Sequence, residues 1–568
     1  MSWQRCAILS LLETAAIQHR KIVYPSNIFI LFILLFLSQY LAVFLYNIFI
    51  YPFYSSPLRH LPGPKDGNFF FGQTLKFLKA EGPNDVVLTY MRQFPDAPLI
   101  RYLHLGNTEW LLVNSVRACK ELVQTKCYSF EKPEYFRRIV GEIVGIGLVN
   151  AEGEEHRRQR KLLAGPFSVS NIKKLVPLFN DKSRDLSRRI EEQVQEHPNA
   201  PIEVNQNFAK TTLDIIGTAA LGVELCSLST SGSTFSNLYA QILDQPPIGQ
   251  LISAINMFVP IRNWVPLKAN RDFQRANGEV RRLLRETIRK RKKAIFGERK
   301  GKTEVRKEFT EEGSKDLLTF MIYEKSEGAN KWSEDDILGH LLNFMAAGHE
   351  TTAGALTWLI LALCLHPNIQ SRLREEVKAQ IPHSNPPSFT ELENLSYMNN
   401  VLKEALRCYS PSTLIPRTPS HTITFCDTVI PVGTTILLNP SVLHLNPDIW
   451  GSDAESFNPD RHASEYINEN EQKSIRDPFA LEAFSNGPRI CIGRMFAMLE
   501  MKSVLVELLR KFEMKRGWGK NGERLREGEE YEGVGDEDEG LMGGVKLQNF
   551  ITLRSKDGVW VKFRILEA

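Results

Sequence analysis

The sequence predicts a mainly α-helical protein with minor β structure, preceded by one N-terminal transmembrane helix. Three observations predict it. A charge-free apolar run occupies residues 28–51, apolar periodicity is helical from about 85 to 510, and β-like runs are confined to 99–113 and 421–439.

Taken in order, residues 1–27 form an N-terminal segment. Ile28 to Tyr51 is rich in Ile, Leu and Phe. As a helix these 24 residues rise about 36 Å, enough to cross a bilayer with some tilt. Ser38, Gln39 and Asn47 lower its hydropathy without breaking it. A cleavable leader would be shorter and end in small residues, whereas this run ends in Tyr51-Pro52-Phe53. Arg20 and Lys21 precede the run and Arg59 and Lys65 follow it, so flanking charge does not set an orientation. Residues 52–64 read as a hinge, because Pro62 and Pro64 in Leu61-Pro62-Gly63-Pro64 stiffen the backbone and remove donors.

Residues 65–568 read as one globular domain. Within it, Ser333 to His366 is one long helix, with Ser333 and Asp336 spaced as a capping box and Pro367 stopping it. Pro431-Val432-Gly433 punctuates the second β region. Residues 289–307 hold ten Lys or Arg against two Glu, which suits a solvated helix end and, as a lesser reading, contact with anionic lipid. Residues 527–539 hold eight acids and no base, so 515–545 reads as a disordered insertion.

Composition narrows the function. Apolar residues at 43% and charged residues at 24% describe a globular chain, and a net charge of +4 over 568 residues gives no basic face for a nucleic acid. The eight cysteines contain no C-x-x-C pair, which removes the usual zinc and dithiol spacings. A disulfide framework is also out of character for so large a chain, which places the body in a reducing compartment.

The segment Phe484-Ser485-Asn486-Gly487-Pro488-Arg489-Ile490-Cys491-Ile492-Gly493 resembles the heme loop F-x-x-G-x-R-x-C-x-G of the cytochrome P450 family, matching all five fixed positions. The resemblance implies the fold of that family for residues 65–568, with heme b bound and Cys491 as axial ligand to its iron. The chemistry agrees: a thiolate ligand pushes electron density toward iron and favours O–O cleavage. Phe484 can shield the sulfur, Gly487 and Gly493 suit tight backbone near the porphyrin, and Arg489 offers a guanidinium to a propionate. Ile492 to about Lys511 reads as a helix whose positive end faces the sulfur.

Further motifs follow the family's order. Glu404-Ala405-Leu406-Arg407 is similar to its E-x-x-R element, whose spacing puts both charges on one helix face. Phe457-Asn458-Pro459-Asp460-Arg461 supplies an arginine that the resemblance joins to that pair, giving a structural network of Glu404, Arg407 and Arg461. Ala347-Gly348-His349-Glu350-Thr351-Thr352 resembles the oxygen-activation motif. It makes Gly348 a place of close approach, Thr351 a positioned hydroxyl and Glu350 a proton relay, with no role for His349. His156 and Arg160 match the family's W-x-x-x-R with His in place of Trp, and Arg417 lies where another propionate-binding arginine is common.

The resemblance implies insertion of one oxygen atom from O2 into an apolar organic substrate, with electrons from a membrane-bound NADPH-cytochrome P450 reductase. It also implies a single-pass anchor in membrane lipid, with the catalytic body on the cytosolic side of the endoplasmic reticulum. The style of the sequence is similar to fungal members serving natural-product pathways. An apolar pocket is expected from Phe130, Phe136, Ile143, Leu342, Phe344, Ala347, Leu414 and Ile415. Two rivals stay open: a heme-thiolate isomerase or dehydratase that needs no O2, and a non-catalytic membrane heme-binding protein. The intact Gly348, Glu350 and Thr351 argue against both.

Overall fold

The computed structural model describes residues 3–20, 27–229, 233–297, 316–324, 332–382, 385–463, 477–531, 540–548 and 552–566. Its principal helices are α1 (Trp3–His19), α2 (Ile28–Leu45), α3 (Gly153–Leu163), α4 (Val176–Glu196), α5 (Val204–Ile216), α6 (Lys268–Gly297), α7 (Glu334–Leu365), α8 (Pro367–Gln380), α9 (Ser396–Cys408) and α10 (Arg494–Lys511). The strands are β1 (Leu99–Leu103), β2 (Glu109–Val113), β3 (Phe130–Glu131), β4 (Ile202–Glu203), β5 (Ile415–Pro419), β6 (Ile423–Phe425), β7 (Thr428–Ile430), β8 (Thr435–Leu438), β9 (Phe512–Arg516), β10 (Leu547–Gln548), β11 (Arg554–Ser555) and β12 (Trp560–Ile565). The largest sheet runs β1-β2-β8-β5-β3, antiparallel except where β2 pairs with β8. A second sheet, β4-β12-β9, ties the C-terminal region to the middle of the chain.

The core is organised around α7, which is apolar on nearly every side and buried along most of its length. Its start is fixed locally: the Asp336 N–H donates to Ser333 Oγ and the Ser333 N–H donates to Asp336 Oδ2, with three acids in the first turn. At its end, Pro367 does more than terminate the helix. It occupies the first position of α8, where its missing N–H is not needed, and the chain bends by 110° between the two.

The apolar N-terminal helix is longer than expected. The chain stays helical from Ile28 to Ser55, 28 residues long and apolar enough to cross a membrane, and its most apolar stretch has mean hydropathy 2.7 with no buried residue. The expected boundary at residue 51 is thereby corrected. Residues Tyr46–Ser55 continue in a π-helical register that carries Pro52 inside it, so the hinge begins at Ser56. This end is fastened to the first sheet: Arg101 donates to the Pro52 carbonyl at 2.5 Å, Asn107 to the Ile48 carbonyl at 3.0 Å, and Ser56 Oγ to Glu109 at 2.7 Å. Within the N-terminal segment, Trp3–His19 is helical. Helix α1 packs on α2 through buried Cys6, Ser10 and Thr14, and Gln39 donates to Glu13 at 2.6 Å.

The expected insertion at 515–545 is corrected at both ends. Residues 515 and 516 belong to β9, and Trp518 is fully buried, its indole N–H donating to the Gly543 carbonyl at 2.8 Å. A tryptophan anchor outweighs the acidic composition around it. Residues 532–539, which hold most of the acidic run, lie outside the described residues. Of the basic stretch 289–307, residues 298–307 also lie outside them. Arg289 and Arg291 sit on the last turns of α6 and are ion-paired with Glu334 at 3.1 Å and Asp316 at 2.7 Å.

Candidate functional site

The loop before α10 is built by its own backbone. The Cys491 N–H donates to the Phe484 carbonyl at 2.8 Å, closing the loop, and Gly493 caps α10 immediately after the cysteine. Phe484 packs against the main core beside it. Cys491 is accessible to solvent-sized space, yet burial pushes its thiol pKa up while the Gly493 N–H and the Arg160 and Arg494 charges oppose that. The sulfur is thus exposed yet partly desolvated by the protein around it.

The two glycines of this loop serve different ends. Gly493 has φ of −88°, and a Cβ there would find only the Cys491 sulfur, 3.9 Å away, so glycine keeps the sulfur's side of the loop open. Gly487 has φ of +68°, and its Cβ would lie 2.1 Å from the Val123 carbonyl oxygen. It is needed for packing against the neighbouring turn.

A cluster of cations surrounds the loop. Arg160 on α3 donates to the Ile490 carbonyl at 2.6 Å. Arg489 pairs with Glu152 at 2.5 Å, and Lys132 pairs with the same carboxylate at 3.1 Å. Burial, with Arg417 adding to it, lowers the Lys132 ammonium to about 7. Burial lowers Arg417, on β5, to about 10, and its recorded hydrogen bond goes to the neighbouring Pro416 carbonyl. His156 lies 3.2 Å from the Tyr128 hydroxyl; burial and the nearby Arg489 lower it to about 4, so it is neutral near pH 7. Lys132 and Glu152 were not singled out from sequence, since neither lies in a motif. Their adjacency depends on bringing the chain after β3 against the start of α3.

This cluster fits a dianionic group. Lys132, Arg417, Arg489 and Arg160 converge; among the described residues Lys132 and Arg489 ion-pair with Glu152 alone, and the buried Arg489 Nε has no partner. Burying so many cations against one carboxylate is costly unless more negative charge arrives. The two propionates of heme b would supply that charge, next to a cysteine at the positive end of an 18-residue helix.

The structural network forms as expected and is larger. Glu404 accepts from Arg407 twice at 2.8 Å, from Arg461 at 2.9 Å and from His462 at 2.9 Å, all deep in the protein. Burial alone would raise the Glu404 pKa, but hydrogen bonds from Arg407 and His462 and the charges of both arginines hold it far below the usual carboxylate range. Sequence reasoning missed the link from this network to the cysteine loop. His444 Nδ1 donates to the Arg407 carbonyl at 3.0 Å, and its Nε2 accepts from the Glu482 N–H at 2.8 Å, two residues before Phe484. That arrangement requires a neutral imidazole, and burial with the Arg407 charge keeps it so.

On α7 the motif residues point three ways. Thr351 Oγ donates to the Ala347 carbonyl one turn back, at 2.5 Å. Ala347 is accessible although most of α7 is buried, and Leu414 is 45% exposed. At Gly348 a Cβ would meet the Ile216 side chain at 3.0 Å, so the glycine lets α5 approach. Glu350 is held by Arg554 at 2.8 Å and by the Thr552 hydroxyl, from the far C-terminal part of the chain. His349 is buried against Tyr239, with ring centroids 5.7 Å apart. Of the apolar residues expected to line the pocket, Phe130 and Leu342 are core residues, Phe130 packing on Phe425 and Leu342 against Gly145.

Comparison with known proteins gives the same assignment. The sequence model of the family described as Cytochrome P450 matches residues 62–525. The chain is 31% identical over 481 residues to Cytochrome P450 monooxygenase sphH of Aspergillus fumigatus, covering 82% of this chain and 85% of that one. It is 29% identical over 523 residues to Cytochrome P450 monooxygenase FUM15 of Gibberella moniliformis, covering 83% and 85%. With Cytochrome P450 monooxygenase ALT8 of Alternaria alternata it shares 28% identity over 579 residues, covering 91% of each. A family match across most of the chain, on a fold whose cysteine loop and cation cluster suit heme b, establishes that this chain belongs to the cytochrome P450 family and is a heme-dependent monooxygenase.

Proposed function

We propose that the chain oxidises an apolar small molecule in a fungal natural-product pathway, anchored in the endoplasmic reticulum with its body in the cytosol. Electrons come from a membrane-bound NADPH-cytochrome P450 reductase. Bound heme b supplies the oxygen activation, with a thiolate axial ligand favouring O–O cleavage. In this reading Cys491 is that ligand, and Arg160, Arg417, Arg489, Lys132 and His156 hold the propionates. Thr351 presents its hydroxyl next to the accessible Ala347, Glu350 moves protons toward it, and Gly348 sets the height of the helix by admitting α5. Accessible Ala347 and Leu414 suit an apolar substrate.

The observation that carries this reading is an accessible cysteine at the start of α10, ringed by buried cations with one carboxylate among them. Reduced protein under CO should show the red-shifted Soret band of thiolate ligation, and Cys491→Ala should lose it. A wild-type spectrum of histidine type would reject the ligand. NADPH and O2 consumption with candidate substrates tests turnover. Thr351→Ala should keep the CO spectrum and release more hydrogen peroxide per NADPH, because a positioned proton donor commonly contributes about 10²–10⁴-fold.

A further inference from the structure

Helix α1 is patterned inside out. Its buried residues are Cys6 and Ser10, both 0% exposed, and Thr14 at 5%, spaced four apart on the face that meets α2. The large apolar side chains point the other way: Ile8 and Leu11 are 58% exposed and Leu12 is 63% exposed. A helix packed in water buries its Leu and Ile and turns Ser and Thr outward. Small residues at the seam with Leu and Ile outside is the pattern of helices that meet in lipid, where acyl chains solvate the large side chains and close backbone approach holds the pair. Helix α2 brings α1 into that solvent, since α2 begins the apolar span and has no buried residue. Polar groups along the seam find partners there. The Thr14 hydroxyl donates to the Ser10 carbonyl at 2.6 Å, and the Gln39 amide donates to Glu13 Oε2 at 2.6 Å. Glu13 is the single charged residue between Arg5 and His19, and Gln39 is the one carboxamide of α2.

This pairing sets the direction of α1. Glu13 stands about 9 Å of helix from the end of α1, and Gln39 about 16 Å from the start of α2. Run antiparallel, those two ends lie within about 8 Å of each other along the axis, which residues 20–27 join readily. Trp3–His19 rises about 26 Å as a helix, close to the roughly 27 Å hydrocarbon thickness of an endoplasmic reticulum bilayer. Arg5 at one end and His19 and Arg20 at the other are placed to reach head groups.

We propose that α1 and α2 cross the bilayer together as an antiparallel hairpin, with the N-terminus on the same side as the catalytic body and the outer face of α1, Ile8, Leu11 and Leu12, seated in acyl chains. The inference rests on the reading of α2 as a membrane anchor, and it departs from the single-pass topology expected from sequence. Glu13 interrupts the apolar composition of α1, and its bond to Gln39 is what lets a carboxyl group enter lipid. Flanking charge, undecided for one span, then leans one way: Arg5, Arg59 and Lys65 stand on the body side against Arg20 and Lys21 at the link.

The test uses the full-length chain in sealed microsomes, with an N-terminal epitope carrying an N-x-T sequon. The epitope should stay unglycosylated and be digested by added protease together with the body. In Lys21→Cys, the label from a membrane-impermeant maleimide, beyond that taken by wild type, should appear only after detergent. Glu13→Lys, which cannot accept from Gln39, should carry the epitope to the far side and raise its glycosylated fraction at least severalfold. Release of the protein by alkaline carbonate would reject the anchor, and the hairpin with it. A carbonate-resistant protein whose epitope is glycosylated while the body remains protease-sensitive is a single span, which overturns the hairpin alone. Labelling of Lys21→Cys without detergent, or an epitope unmoved in Glu13→Lys, would also overturn it.

Discussion

Replacing Glu404 with Gln puts the largest buried charge network to a quantitative test. Glu404, Arg407 and Arg461 side chains are all 0% exposed. The carboxylate accepts from both arginines, from His462 and from the Asn458 N–H at 2.9 Å. A glutamine offers one acceptor and turns an NH2 toward guanidinium donors. Arg407 would then keep the carbonyls of His444 and Ala454 at 2.6 Å and Ser456 at 2.9 Å, and the Cys408 sulfur at 3.2 Å, none of them charged carboxylates. Arg461 would keep Asp453 at 2.9 Å. Breaking a buried pair from one side costs about 3–5 kcal/mol, because a charge is left uncompensated. Asp453→Asn removes a partner that is 41% exposed, and should cost about 1 kcal/mol or less. Urea unfolding of the holoprotein, followed by circular dichroism and by the Soret band, measures both. The Soret signal of Glu404→Gln should fail with or before the fold, since His444 and Glu482 carry the network to the cysteine loop. A loss under ~1 kcal/mol for Glu404→Gln, or an equal loss for Asp453→Asn, would refute the reasoning. Because the Glu404 pKa is depressed, its stabilisation is present above the ordinary carboxylate range and lost only as pH falls through the depressed value. Acidification to about pH 4.5, near the usual range, should therefore leave this network intact.

Glu482 behaves oppositely: burial pushes it up to about 7, against a hydrogen bond from Asn486. The folded state then holds a proton the unfolded chain has lost, so stability should fall by about 3 kcal/mol as pH rises from 4.5 to above 7, and wild type minus Glu482→Gln should show that slope; a flat difference would count against it. Gly487→Ala combines a left-handed φ with a 2.1 Å approach and should lose about 2–4 kcal/mol of stability in urea titration, while Gly493→Ala should fold normally and bind heme more weakly. Asn394 heads the sequon Asn394-Leu395-Ser396 and is exposed at the end of a short helix. A cytosolic body leaves it unmodified in cells, and a glycosidase-sensitive mass shift abolished by Asn394→Gln would place the body in the lumen.

What the sequence by itself determined is local. Cys491 and its loop, the E-x-x-R pair, the capping box at Ser333 and Asp336, and the charge-free run from Ile28 are short-range patterns, and each is a helix start, a turn or a face that a few adjacent residues dictate. What only the tertiary structure decided is which distant groups meet. Lys132 and Glu152 belong to no motif, and meet beside the cysteine loop only when β3 and α3 converge on it. Gly348 and Gly487 were legible as unusual glycines, but the atoms they make room for, Ile216 and the Val123 carbonyl, lie about 130 and 360 positions away along the chain. The acidic composition of 515–545 concealed Trp518 because burial of one indole is set by the surface it meets. Glu350 shows the division within one residue. Its place on α7 follows from helical periodicity, whereas its partners Arg554 and Thr552 follow from long-range packing, which no local spacing encodes.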